Sequence, residues 1–203
     1  MRPDPAAGVF ETVLVEHGVA LQLEAHLERL TASVLELYGA HLEPAAFERS
    51  WAAAEAAGGR ARMRILASTD GLVEVDVTPE PDAMTEPVAL APYEVPGGLG
   101  AHKWRDRRVV DELTARQPGT VPLLIDTDGS VLEAAYANVW IVEDRAPITP
   151  PADGRILPGI TRARLLASEP SAREETIDLA RLQRAGRLFM TSSISGIREA
   201  HLR

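Results

Sequence analysis

The chain contains no cysteine and one lysine. Without cysteine there is no disulfide framework, no thiolate nucleophile and no thiolate-ligated metal. The five histidines (His17, His26, His41, His102 and His201) never fall in HxxxH or HExxH spacing, so the pattern of a zinc enzyme is missing and no metal is expected. Basic residues are outnumbered 21 to 30, giving a net charge of −9, which argues against a nucleic-acid footprint. No apolar run approaches the roughly 18–20 residues of a membrane span, and the start, MRPDPAAGVF, lacks the apolar stretch of a secretion signal. Internal repeats and low-complexity tails are also missing. What remains is a chain of 203 residues, 45% hydrophobic and 25% charged, enough for one large domain or two small ones around true cores. The expectation is a soluble, cytoplasmic protein with neither a nucleic acid nor a membrane as partner.

Scarcity of lysine carries chemical meaning. Of the 21 basic side chains, 20 are arginine and the survivor is Lys103. A coding bias toward arginine explains why lysines are rare, not where the last one lies. Arginine substitutes for lysine in surface ion pairs, but it stays protonated and cannot act as a neutral primary amine. A solitary lysine is therefore a candidate for amine chemistry such as a Schiff base.

Periodicity divides the chain into alternating strands and helices. Val9–Val15 and Val19–Leu23 flank His17-Gly18 as a hairpin. Leu27, Leu30, Val34 and Leu37 then follow helical spacing up to Gly39, and a second helix runs from about Pro44 to Ala57. Met63–Ala67 and Leu72–Val77 form another hairpin, and Val88–Ala91 a short strand. The stretch from Pro92 to Gly100, PYEVPGGLG, reads as a linker, because its prolines and glycines suit neither a helix nor a central strand. GxxxxGK[ST] is absent from it, which excludes a P-loop. Beyond it, Arg105–Arg116 reads as a helix. Val121–Ile125 and Ser130–Glu133 form a hairpin, Ala137–Val142 an apolar strand, and a helix starts near Gly159. Arg187–Thr191 is the last expected strand. The domains expected are residues 1–92, an interdomain linker at 93–101, and residues 102–203.

Lys103, Glu133, Thr161 and Ser192-Ser193 all sit at the edges of expected elements, where site residues accumulate on rigid scaffolds. Each alone has a plain structural reading: an edge-strand carboxylate for Glu133, a first-turn residue for Thr161, and a solvated helix face for Arg29. Their order is more specific. GVFET, HLERL, HK, DGSVLEAAYAN, LPGIT and TSSISG, in that succession across nearly the whole chain, resemble the class IV aminotransferase-like family. These are the fold-type IV pyridoxal 5'-phosphate (PLP) enzymes, which include branched-chain and D-amino-acid aminotransferases and aminodeoxychorismate lyases.

The resemblance implies an α+β, two-domain fold with a small N-terminal α/β sandwich and a larger, barrel-like C-terminal domain that binds PLP. It implies Lys103 as the catalytic residue that forms the Schiff base with PLP. Glu133 matches the carboxylate beside the pyridine nitrogen, with Asn138 orienting it and Leu157 against the ring face. Arg29, Ile160, Thr161, Ser192 and Ser193 match the contacts to the phosphate. HKWRDRRVVDEL is most similar to the lyase branch, which releases pyruvate and 4-aminobenzoate, a folate precursor, from 4-amino-4-deoxychorismate. FET departs from the FEG-type motif of branched-chain aminotransferases and is shared with D-amino-acid aminotransferases. The alternatives are a branched-chain or D-amino-acid aminotransferase, or a non-catalytic binding module on the same fold. The family also implies a homodimer and a small-molecule amino substrate. Arg105 and Arg107, close to Lys103, are candidates for the substrate carboxylates; as first residues of a helix they would oppose its dipole.

Overall fold

The computed structural model describes residues 2–82 and 85–203. It divides into two compact units, Met1–Ala83 with His102–Arg107, and Met84–Ala101 with Arg108–Arg203.

In the first unit a short 3-10 turn (Pro5–Ala7), capped by the Asp4 carboxylate on Ala6 N–H, leads into β1 (Val9–Glu16). His17 and Gly18 both take left-handed φ (50° and 82°), the geometry of a two-residue hairpin turn, and return the chain as β2 (Val19–Ala20). Helices α1 (Leu23–Tyr38) and α2 (Ala46–Glu55) follow, then β3 (Arg60–Ala67) and β4 (Val73–Pro79). The sheet is antiparallel in the order β2-β1-β3-β4. Side chains alternate across a strand, so Val9, Val13 and Val15 of β1 enter one core with Met63, Ile65 and Ala67 of β3. Leu23, Leu27, Leu30 and Val34 of α1 close that core. Residue 11 belongs to the same alternating row, and it is a glutamate.

The second unit holds β5 (Val88–Glu94), α3 (Arg108–Arg116), β6 (Val121–Ile125), β7 (Val131–Ala134), β8 (Asn138–Glu143) and β9 (Ala146–Thr149). These are followed by α4 (Ile160–Ser168), β10 (Arg173–Glu174), α5 (Leu179–Arg184), β11 (Arg187–Ser192) and β12 (Gly196–Leu202). Its eight strands run β10-β9-β8-β11-β12-β5-β6-β7, and an Ala134–Ala137 bridge ties β7 back to β8. The sheet is therefore curled on itself in the barrel-like manner expected. Leu90, Leu123, Val139, Ile141 and Ile148 form its main core.

Two expectations are corrected. Pro92 to Glu94 is not linker but the end of β5, which lies between β12 and β6. The proline is tolerated for a geometric reason. The Leu90 carbonyl accepts from Arg203 N–H on the β12 side, and residues two apart face the same side. Pro92 thus turns its missing N–H toward the side where β12 has already ended. The helix expected from Arg105 begins only at Arg108, because the preceding backbone is occupied elsewhere: Arg105 N–H donates to the Gly8 carbonyl.

Candidate active site

Lys103 lies on a segment laid along the start of β1. Phe10 N–H donates to the Lys103 carbonyl (2.9 Å), Arg105 N–H to the Gly8 carbonyl (3.0 Å), and Val9 and Trp104 form a β-bridge between them. Asp4 N–H reaches the Asp106 carboxylate at 2.8 Å, and the His102 ring nitrogen Nδ1 lies 3.0 Å from Ser33 Oγ on α1. Backbone contacts on both sides thus hold the lysine in place. Its Nζ stands 5.2 Å from the Phe10 ring centroid, a cation–π distance, and the Arg64 guanidinium lies 5.8 Å from the same centroid.

Beneath this segment, in the α1-covered core, Glu11 is 1% exposed. Such a carboxylate must be paired. Arg29 supplies Nε to Oε1 at 2.8 Å and Nη2 to Oε2 at 2.7 Å, and His26 Nδ1 lies 2.7 Å from Oε2. His26 and Arg29 are three residues apart, on one face of α1. Burial alone would raise the Glu11 pKa; the His26 hydrogen bond and the Arg29 charge outweigh it and hold the carboxyl at about 2. Burial pushes His26 the other way, below its usual value, against the pull of Glu11. Arg29 is therefore not on a solvated face: its side chain is 13% exposed and fixed by Glu11.

The second unit brings together most of the remaining expected residues. Glu133, near the end of β7, and Asn138, the first residue of β8, are 6% and 5% exposed. They hold one residue between them: Leu157 N–H donates to Glu133 Oε2 (3.2 Å), and Asn138 Nδ2 donates to the Leu157 carbonyl (2.9 Å). That clamp sets the approach to α4, whose N-cap is Gly159 and whose first turn has no side-chain cap. N–H groups of such a turn, here beginning with Ile160 and Thr161, are suited to an anion. Gly159 is required by proximity, since a Cβ there would stand 1.9 Å from Asn138 Oδ1. Asn138 pairs with Thr191 across β8 and β11, next to Ser192, and α4 packs on β11. Ser192 Oγ accepts from Ser195 N–H, closing the turn that carries Ser193. Behind this surface, Trp140 Nε1 donates to Thr191 Oγ1 (3.0 Å). Buried Arg162 fastens the loop before α4 by donating to the Pro150 carbonyl (2.8 Å) and pairing with Glu174.

This donor set fits a phosphate-bearing ring: an uncapped helix start with hydroxyls nearby, a buried carboxylate, and a glycine that leaves space at the helix start. Arg105 is exposed and Arg107 half-buried, both ahead of α3, so the opposition to a helix dipole expected of them does not arise. Sequence reasoning missed Phe10, Glu11, His26 and the packing role of Gly159. The signal for Glu11 was available: in VFETVLV it occupies a position where strand alternation calls for an apolar side chain. Among the described residues no cluster of three potential ligands could hold a metal, and no helix is long and apolar enough to cross a membrane.

The model of the amino-transferase class IV family matches residues 8–202. Among solved structures, a protein from Mesorhizobium loti provisionally assigned as an amino-acid aminotransferase superposes with a TM-score of 0.86 at 26% identity, covering 96% of this chain and 99% of that one. A protein from Legionella pneumophila provisionally assigned as a 4-amino-4-deoxychorismate lyase gives 0.84 at 22%, covering 97% and 83%. The PLP-bound form of a hypothetical aminotransferase from Mycobacterium tuberculosis gives 0.80 at 24%, covering 100% and 84%. A search of curated protein sequences finds no match. With the family model spanning nearly the whole chain and the fold shared with these structures, the chain belongs to the amino-transferase class IV family.

Proposed function

We propose that the protein is a PLP-dependent 4-amino-4-deoxychorismate lyase, releasing pyruvate and 4-aminobenzoate. The observation that carries the PLP assignment is Lys103: the chain's one amine side chain is anchored by backbone bonds on both sides of it. Bound PLP would supply an aldehyde that condenses with an amine and a ring that accepts electrons. Glu133, held against the Leu157 N–H, would present a negative charge to a protonated pyridine nitrogen. Arg29, Ile160, Thr161, Ser192 and Ser193 would hold the phosphate, Asn138 keeps the Leu157 loop in register with Glu133, and Leu157 would lie against the ring. Lys103 would be the group that moves protons, taking one from the substrate ring carbon that bears the amine and returning one to the departing enolpyruvyl group. Atoms balance without a co-substrate, because the two products together contain every atom of the reactant.

The lyase assignment is supported by HKWRDRRVVDEL, FET argues only against a branched-chain aminotransferase, and Arg105 and Arg107 are assigned to the two substrate carboxylates. The second reading is an aminotransferase acting on a small amino acid, favoured by the superposition on the Mesorhizobium loti protein. A homodimer in the cytoplasm completes the proposal; sedimentation tests the assembly. The test of reaction class is direct. Purified protein with PLP and aminodeoxychorismate should release pyruvate and 4-aminobenzoate in equal amounts with no keto acid added. Strict dependence on a keto-acid acceptor would establish the aminotransferase reading instead.

A further inference from the structure

Beneath the Lys103 segment, Glu11 and His26 form a buried pair that the reaction described above does not use. The Glu11 carboxylate grips Arg29 through Nε and Nη2, which fixes the plane of the guanidinium and the direction in which Nη1 points. An ionised carboxylate only accepts, so His26 donates from Nδ1; burial, which pushes its pKa below the usual value, favours the neutral ring with a lone pair on Nε2. That Nε2 is buried and has no hydrogen-bond partner among the described residues. A histidine that works through one nitrogen and leaves the other unpaired is serving its single partner.

We infer that Glu11 and His26 are positioning residues that orient Arg29 for the ligand phosphate, with His26 acting only through its Nδ1–H on Glu11. The inference rests on the reading of Arg29 as a phosphate contact. His26 locks the carboxylate from one side, and the carboxylate locks the guanidinium from the other. The glutamate also cancels the net charge of Arg29, so that the arginine contributes directed donors more than bulk positive charge. Neither Glu11 nor His26 touches the ligand in this arrangement.

The test compares binding of PLP with binding of pyridoxal, which lacks the phosphate, by equilibrium dialysis. His26→Leu and Glu11→Gln should lower the PLP-to-pyridoxal affinity ratio by about tenfold or more, as loss of a hydrogen bond to a charged group implies, while pyridoxal binding is unchanged. His26→Asn is the decisive variant. Its amide N–H can take the place of Nδ1–H, and it sacrifices only the unpaired Nε2, so it should keep the ratio near that of the parent protein. Equal losses for both ligands in His26→Leu, or a ratio as poor in His26→Asn as in His26→Leu, would overturn the inference. Arg29→Gln separates this failure from failure of the parent reading. If Arg29→Gln leaves the ratio intact, the phosphate role of Arg29 falls and the inference with it. If Arg29→Gln collapses the ratio while the Glu11 and His26 variants keep it, Arg29 binds phosphate without their help and only the inference falls.

Discussion

Replacing Gly159 by alanine perturbs the second unit at one defined contact. The backbone at Gly159 (φ −67°, ψ 138°) is open to any residue, so the cost is steric and not conformational. The new methyl would stand 1.9 Å from Asn138 Oδ1 and 3.1 Å from its Cγ. Asn138 cannot simply swing aside, because it is buried and its amide nitrogen is engaged with the Leu157 carbonyl. Overpacking of this kind costs roughly 1–3 kcal/mol, and a lost hydrogen bond adds about 1 kcal/mol. At about 2–4 °C per kcal/mol for a chain of this size, the midpoint of thermal unfolding should fall by roughly 4–16 °C. PLP affinity should fall too, since Leu157 and the α4 N-terminus move with the clamp. Asn138→Ala removes the clashing atom. The double variant should therefore be more stable than the sum of the two single effects predicts, with a coupling of roughly 1–3 kcal/mol in a double-mutant cycle. Strict additivity, or a Gly159→Ala protein with unchanged unfolding and PLP affinity, would refute the clamp.

Acid should unfold the first unit through Glu11. Its carboxyl is held at about 2, below the usual 4.5, so its stabilising contribution is complete above pH 4.5 and is lost as pH falls through the folded value. That contribution amounts to about 3 kcal/mol by linkage, and Glu11→Gln should flatten the acid limb of a stability-versus-pH curve. The same variant should be less stable at pH 7, since it leaves Arg29 without its buried counter-charge, at a cost of about 3–5 kcal/mol. Lys103→Arg should fold normally and show no turnover, because a guanidinium forms no imine; measurable steady-state activity would defeat the assignment. Glu133→Gln should keep PLP but turn over slowly even when saturated, whereas Arg29→Ala should need more PLP and regain rate when it is supplied, as PLP titrations of steady-state rate will distinguish.

The strands and helices that sequence revealed were those with strong alternation or helical period around conventional turns. The β8–β9 hairpin escaped because its turn residues, Asp144 and Arg145, take positive φ without a glycine to mark them. β12 was hidden by its composition: GIREAHL mixes three polar side chains with three apolar ones and is mostly half-exposed, and pairing with β11 and β5 makes it a strand where propensity does not. The six-residue α5 is too short for a period to show and depends on the Asp178 cap, which accepts from Arg181 N–H. In the candidate site, Glu133, Asn138 and the LPGIT block were legible because ordered motifs announce them. Their mutual engagement through the Leu157 peptide was not, since it depends on a backbone N–H and carbonyl that carry no residue identity. Glu11 left a trace in the alternation of β1, but its partnership with His26 was illegible: a histidine in a helix gains that meaning only when α1 is laid on β1.

Borohydride reduction of the protein incubated with PLP, followed by mapping of the modified peptide, tests the central role of Lys103 most directly. With a single lysine in the chain, the only competing amine is the N-terminal α-amino group, so the outcome is unambiguous. The account predicts one equivalent of reduced cofactor, located on Lys103 and retained through unfolding. Label confined to the N-terminus, or a protein that takes up PLP and leaves Lys103 unmodified after reduction, would contradict it.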